Sequence, residues 1–457
     1  MIITGHEQYK NGTIANERSG SNTAITATGF FIFAFLILSF AYELPLINIT
    51  GKDRLNPRLF DIAAIFLIIY WLFIGRARGW GISLSNHIIR LWGLIVLFFG
   101  IATIASFVWI PLKIYYFSIF YFLRYLIGFI VLLIIASIPW DERSKRKLLW
   151  AALTGGVWVS LIAMLQYTEV LSIERTLPTG EEINLSSYGI YSTLGVTYWH
   201  VGMYSVLSFM IGIALMRTEN KRHIKLFLIF LTCFCSLAAF ISGSRAGLFA
   251  ITICAAMLVM RKGFKNIIGG LLICIFILGI GNYFYSTSGT KERMEKETKN
   301  TIIARLLTGP VMLNKALTYH GPKLFLVGGG FYVVPLPKKH ASFGSGELKY
   351  RKGYGNHNIF LFPLEQAGVV PFVLGLVMWF VILRRLRSLF KSPMSTAMTA
   401  SFAKSMFIYL IAMLIVGIGG QVFWLGFGTE NFTFYQMIMF LIATTPTGEK
   451  SKETVQK

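Results

Sequence analysis

The stretch "DERSKRKLLWAALTGGVWVSLIAMLQY" (residues 141–167) places a basic segment directly before 20 residues that carry no charged side chain. An α-helix needs about 20 apolar residues to cross the hydrocarbon of a bilayer. Similar stretches recur along the 457-residue chain, which is 55% hydrophobic and only 14% charged. A soluble domain carries about 25% charged residues. The sequence therefore predicts an all-α integral membrane protein.

Twelve segments have the length and hydropathy of membrane spans. They are residues 23–42, 59–75, 91–110, 115–139, 148–167, 197–216, 225–243, 246–260, 265–283, 357–383, 403–425 and 431–445. Alternate connections are basic, namely "RARGWG", "DERSKRK", "RTENKRHIK", "RKGFK" and "RRLRSLFK". Because short loops rich in Lys and Arg stay in the cytoplasm, this pattern predicts that both chain termini are cytoplasmic.

The spans divide the chain into five parts. The expected order is a cytoplasmic segment (1–22), nine spans (23–283), a long external loop with short helices (284–356), three spans (357–445) and a cytoplasmic tail (446–457). The loop holds 12 Lys and Arg against 4 Glu. Such a surface favours anionic head groups, phosphate or pyrophosphate. A solvated surface without a ligand is the alternative.

Two arginines are candidates for binding an anion. Arg245 lies in "SGSRAG", a predicted tight turn between the seventh and eighth spans, where small residues leave backbone N–H groups accessible. Arg305 lies beside an apolar stripe in "TIIARLLTGPVMLNKAL", and a guanidinium there could bind phosphate with two hydrogen bonds. Each arginine could instead extend to lipid head groups at the membrane surface.

A second group of candidates surrounds "GNHNIFLFPLEQAGVV" (residues 355–370). If a helix begins near Asn356, His357 stands at the membrane boundary, beside Asn358. Glu365 then lies about two turns deeper, where ionisable groups are costly and usually functional. The glycine cluster that includes Gly329 permits close approach of backbone to a ligand, although a plain turn would explain it too.

Two further polar residues fall within or beside predicted spans. Arg124 in "FYFLRYLIGF" lies near mid-span. It is expected to face the interior, paired with a carboxylate such as Glu365 or with a ligand phosphate. His200 in "GVTYWHVGMY" is expected at the outer mouth of the sixth span, where it could line the same cavity.

Four features occur in order over residues 190–385: "SGSRAG", an arginine early in a long external loop, a glycine cluster and "HNIFLFPLEQAG". This ordered set resembles the O-antigen ligase and O-antigen polymerase family of bacterial glycosyltransferases. The resemblance implies a multi-span GT-C enzyme of the inner membrane. It would move glycan from an undecaprenyl-pyrophosphate carrier to a hydroxyl on the outer face, using no metal or other cofactor and no nucleic acid. Arg245 and Arg305 would bind the pyrophosphate, and His357 would accept or orient the attacking hydroxyl's proton in an inverting displacement.

Three questions stay open from the sequence. The loop also contains His320 and His340, which could share the role of base. The acceptor could be a growing glycan, as for a polymerase, or lipid A–core, as for a ligase; a protein acceptor is a third possibility. The basic loop could hold two pyrophosphate-linked substrates, which favours the polymerase slightly. A lipid-linked glycan transporter or flippase is the main alternative outside enzymes.

Overall fold

The structure is a computed structural model. It describes residues 25–42, 58–81, 86–108, 110, 112–138, 140–171, 174–176, 182–184, 190, 192–194, 198–259, 268–270, 272, 275–277, 279–280, 317, 321–329, 333–335, 350–352, 359–393, 395–419 and 441. The helices are α1 Ala27–Ser39, α2 Leu59–Tyr70, α3 His87–Ser106, α4 Leu112–Ala136, α5 Glu142–Tyr167, α6 Tyr198–Thr218, α7 Arg222–Ile241, α8 Arg245–Val259, α9 Lys323–Val327, α10 Phe362–Ala367, α11 Val369–Lys391 and α12 Ala397–Val416.

Two short antiparallel hairpins accompany the helices. Strands β1 (Glu174–Thr176) and β2 (Glu182–Asn184) pair with each other, as do β3 (Val333–Pro335) and β4 (Tyr350–Lys352). The second hairpin and the short helix α9 fall in the predicted long loop, which was expected to contain short helices.

Within the described residues, seven helices are long and apolar enough to cross a membrane: α3, α5, α7, α11 and α12 over their whole length, α4 from Ser118 and α6 from His200. The predicted total of twelve spans is not confirmed. Helices α1 and α8 are shorter, as is α2 with the π-helical turn Trp71–Gly75 that extends it. About half of the predicted span 265–283 lies outside the described residues, as does all of 431–445 except Leu441. The architecture is that of a multi-pass helical membrane protein.

The predicted start of the span 357–383 is wrong. The chain forms a six-residue helix, α10, and then breaks at Gly368 before α11 begins. Gly368 has φ +92°, a conformation that glycine adopts without steric cost. Pro363 does not cause the break, since it lies in the first turn of α10, where proline is tolerated.

Helix α6 is the central helix of the bundle. It packs against α5, α7, α8 and α12. Of its membrane-spanning window 72% is buried within the protein, more than in any of the other six long helices. The same window has the lowest mean hydropathy of the seven. A helix surrounded by protein does not face lipid, so it tolerates polar residues such as Ser205 and Ser208.

Glycines allow the neighbours of α6 to approach closely. A Cβ added to Gly156 of α5 would lie 2.1 Å from the Ser208 Oγ, and one added to Gly212 would lie 2.2 Å from the Thr232 Oγ1 of α7. A Cβ on Gly247 of α8 would lie 2.7 Å from the Gly202 Cα. Small residues at such crossings are the usual means of close helix packing in membranes.

Polar contacts show which helix ends lie together. At one end Arg146 of α5 forms an ion pair with Glu219, which follows α6, and the Thr399 hydroxyl of α12 donates to Glu142 of α5 at 3.3 Å. The N–H of Lys221 donates to Glu219 at 2.9 Å, and this bond, together with Arg146, lowers the pKa of that carboxyl. We call this the opposite end, because it lies across the bundle from the end that carries the candidate site residues.

The other end of the bundle, which we call the site end, is where α6, α8 and α11 begin and α7 and α12 finish. There the Ile190 N–H donates to the Ser242 carbonyl at 3.5 Å, and the Ile359 N–H donates to the Gly417 carbonyl at 2.8 Å. The Thr193 hydroxyl, just before α6, donates to the carbonyl of Ala41 at 2.6 Å, so α1 finishes at this end as well. The rings of Phe40 and Phe60 stack with centroids 5.5 Å apart, which places the start of α2 beside the end of α1.

Large apolar side chains cover the outer faces of the helices. Exposed examples are Phe31, Phe66, Phe73, Ile104, Phe230 and Phe380. Exposed apolar surface on this scale is unfavourable in water. It is the surface expected of helices that contact lipid tails, which supports the assignment to a membrane.

Candidate functional site

The segment Ser242–Arg245 forms a compact junction between α7 and α8. Gly243 has φ +72°, which lets the chain reverse direction within two residues. The Ser242 hydroxyl accepts the Ser244 N–H at 3.2 Å, and the Ser244 hydroxyl accepts the Gly247 N–H at 3.0 Å. Ser244 therefore caps α8. Both serines are buried.

Arg245 is the first residue of α8 and is half-buried. The sequence predicts that Arg245 lies in the turn, whereas in the structure it belongs to the helix. The difference matters because the first N–H groups of a helix lack intrahelical acceptors and carry the positive end of its dipole. A guanidinium at this position adds a full positive charge to an N-terminus that already favours anions.

His200 and Arg245 both lie near the crossing of α6 and α8. It is 4% exposed and precedes Gly202 by two residues, while Arg245 precedes Gly247 by two. Because Gly202 and Gly247 are in backbone contact, both polar residues lie within about one helical turn of the same crossing. The backbones of two predicted site residues are thus near each other at the site end, while their side chains leave the helices on faces other than those of the contacting glycines.

A buried loop beside α5 completes this side of the site end. Ser192 has φ +50°, an uncommon conformation for a residue with a side chain. Its N–H donates to the Gln166 Oε1 at 2.8 Å, and its hydroxyl donates to the Val159 carbonyl at 2.7 Å. Thr193 donates to the carbonyl of Ala41 at 2.6 Å. Sequence reasoning missed these residues, because an isolated Gln or Ser in an apolar chain gives no spacing pattern.

Arg124 forms an ion pair with Asp61 of α2, and the predicted partner Glu365 is therefore corrected. Asp61 Oδ2 also accepts the backbone N–H of Arg58 at 2.9 Å, and Arg58 is only 1% exposed. The ring of Phe120, one turn away on α4, lies 5.0 Å from the Arg124 Cζ. The predicted burial of Arg124 is confirmed, and a carboxylate inside the protein explains it.

Glu365 and Gln366 lie in α10 and are 1% and 0% exposed. The carbonyl of Glu365 accepts the Gly329 N–H at 2.7 Å. Gly329 was predicted to allow close approach of backbone to a ligand. In the structure its N–H is occupied by α10 instead, so this glycine joins the long loop to the start of the tenth predicted span.

His357, Asn358 and Arg305, as well as His320 and His340, lie outside the described residues. The chain immediately after Asn358 is described, and it is firmly held. Ile359 is 0% exposed and bonded to Gly417, and a Cβ on Gly417 would lie 2.8 Å from the Ile359 Cγ2. The His357 backbone is therefore two residues away from a fixed point at the site end.

Among the described residues, no three His, Cys, Asp or Glu side chains come together as metal ligands. The charged and polar groups at the site end are instead a helix-terminal arginine, a buried histidine, a buried glutamate and an arginine–aspartate pair. No protein-family model matches the sequence, and no curated protein sequence matches it significantly.

Proposed function

We propose that the protein is a membrane glycosyltransferase that moves a glycan from undecaprenyl pyrophosphate to a hydroxyl acceptor, acting as an O-antigen or polysaccharide polymerase of the inner membrane. The proposal rests on the ordered motifs of the sequence. The structural observation that carries it is the position of Arg245 at the start of α8, at the end of the bundle where Ile359, two residues after His357 in the sequence, is bonded to Gly417.

The pyrophosphate would bind at the start of α8. Its charge would be attracted by the Arg245 guanidinium and by the N-terminal dipole of the helix. Arg305 would supply a second guanidinium, and arginine suits phosphate because it donates two parallel hydrogen bonds. The close packing at Gly202 and Gly247 holds the Arg245 backbone in place, so little reorganisation is needed as charge develops.

The transfer step would be a single displacement at the anomeric carbon. The acceptor oxygen forms the new bond as the bond to the pyrophosphate oxygen breaks, and the carrier leaves with that electron pair. The acceptor's proton passes to His357, whose ordinary pKa of about 6.5 suits a base near neutral pH. The developing charge on the pyrophosphate is stabilised by the two arginines.

The direct test uses the purified protein and a labelled undecaprenyl-pyrophosphate oligosaccharide, with and without lipid A–core, and resolves the products on a gel. We expect a ladder of longer glycans in the absence of core. A product that forms only with core would make the protein a ligase. Unchanged donor in both, with transport across vesicle membranes, would replace the enzyme with a transporter.

Arg245→Ala is the variant that tests the site. Removing one group that stabilises transition-state charge costs about 100- to 1,000-fold in rate. Arg222→Ala is the matched control, since Arg222 is the first residue of α7 and is exposed at the opposite end. It should leave transfer unchanged. Arg305→Ala and His357→Ala should abolish transfer while the protein still inserts. Wild-type turnover in all three site variants would disprove the site.

A further inference from the structure

Helix α9, in the long loop, contacts the break between α10 and α11 through glycines on both sides. Gly328 ends α9 with φ +69°, and Gly368 forms the break with φ +92°. A Cβ on Gly328 would lie 2.3 Å from the Ala367 N and 2.4 Å from the Gln366 O. A Cβ on Gly368 would lie 2.7 Å from the Leu326 O. We call this pair of segments the glycine contact.

The glycine contact is formed by backbone on both sides. No side-chain rotation can therefore make room for a methyl group at either glycine, and the two segments would have to separate. The Gly329 N–H bond to the Glu365 carbonyl, 2.7 Å long, lies at the same point and would be lost on separation. Both glycines also need a left-handed backbone, which other residues adopt only at a cost.

The contact closes the segment 330–364, which contains His357. Its two ends are brought together by the bond between Gly329 and Glu365. The bond between Ile359 and Gly417 fixes the same segment to the end of α12. The described parts of this segment are thus held by two attachments, one of which needs Gly328 and Gly368.

We propose that Gly328 and Gly368 are positioning residues, which hold α9 of the long loop against the helix break and so keep the two ends of the segment 330–364, to which His357 belongs in the sequence, together at the site end. The catalytic part of this inference rests on the proposed function. The structural part does not, because it concerns only how α9 is attached to α10 and α11.

Hydrogen exchange of the full-length protein in lipid nanodiscs tests the attachment. The Gly329 amide should be protected in the wild type and should exchange about tenfold faster in Gly328→Ala, because the bond to Glu365 opens. Gly321→Ala is the matched control. Gly321 has φ +60° in the same loop, and an added Cβ has no atom within 4 Å, so this variant carries the backbone strain without the clash.

The transfer assay tests the positioning role. A misplacement of about 1 Å can cost about 100-fold in rate, so kcat should fall by about that factor in Gly328→Ala. The KM for the carrier should stay within about threefold, because the pyrophosphate-binding arginines are untouched. Gly321→Ala should keep the wild-type kcat and KM. A defect in stability alone would instead reduce the amount of active protein. The loss of active protein in Gly328→Ala and in Gly321→Ala would then follow the stability of each variant.

An unprotected Gly329 amide in the wild type would overturn the proposal, as would equal exchange and equal kcat in Gly328→Ala and Gly321→Ala. If Gly328→Ala does not fold, Gly368→Ala tests the glycine contact from the other side. The protection of the Gly329 amide in the wild type still decides whether the attachment exists. If the wild type transfers no glycan, the proposed function fails while the exchange result stands on its own.

Discussion

At the scale of single residues, the pairing of Arg124 with Asp61 shows what the sequence could and could not predict. The burial of Arg124 followed from the cost of a charge at membrane depth. Its partner did not follow, because Asp61 lies 63 positions away on another helix and Glu365 was an equally plausible carboxylate. Only the packing of α2 against α4 decides between them. A buried ion pair also removes the need for a ligand phosphate to explain this arginine.

Asp61→Asn should therefore destabilise the protein. Arg124 is 8% and Asp61 19% exposed, so the pair is mostly buried, and breaking it should cost about 3 kcal/mol, the lower end of the range for buried pairs, because Arg124 loses the opposite charge of Asp61. The free energy of unfolding, measured in detergent by tryptophan fluorescence, should fall by that amount. The double variant Asp61→Asn with Arg124→Gln should lose less than the sum of the two single variants. Strict additivity would show that the two side chains do not interact.

At the scale of elements, the sequence predicted most helices within a few residues and missed one break. Hydropathy placed the second span at 59–75, where α2 and its π-helical extension lie. The break at Gly368 was missed because apolar residues lie on both sides of it, so that over a span-length window the mean hydropathy stays high despite Glu365 and Gln366. The backbone contact with α9 that accompanies the break joins residues about 40 positions apart. No periodicity encodes such a contact.

The crossing of α6 and α8 makes a prediction at this scale. A Cβ on Gly202 would lie 2.8 Å from the Ser244 Cβ and 3.1 Å from the Gly247 Cα. Gly202→Ala should therefore force the helices apart and destabilise the protein by about 1–3 kcal/mol. It should also reduce transfer, because Arg245 moves with α8. Gly269→Ala is the control, since its nearest atom would be at 3.8 Å. A gain in stability at Gly202 would contradict the close crossing.

At the scale of the whole molecule, the seven long apolar helices and the exposed apolar faces agree with the predicted class of protein. The structure brings to one end of the bundle the basic segments from which the orientation is predicted. Clusters of Lys and Arg lie in the first turns of α5 and α7 and in the last turns of α11, all at the opposite end. The site end is reached by the predicted external loop. Orientation depends on the membrane and not on the fold, so labelling must test it.

Single cysteines test the orientation in intact cells with a maleimide that does not cross membranes. Lys339→Cys, in the long loop, should react because that loop is expected on the outer face. Arg143→Cys, exposed at the start of α5, should react only after the cells are opened. The parent for both should have the exposed Cys233 replaced by serine. Reversed labelling would put the site end in the cytoplasm, where an external carrier could not reach it.

The central position of α6 has a consequence for how the protein is made. Its partner α12 finishes at Val416, about 200 residues after α6 ends at Thr218. At synthesis rates of about 5–20 residues per second, α6 would wait about 10–40 s in the bilayer before α12 can cover its remaining side. Helix α6, the least apolar of the long helices, is thus not fully covered by protein while the rest of the chain is being synthesised. During that interval the half-built bundle would be the form most open to quality-control proteases and insertion chaperones.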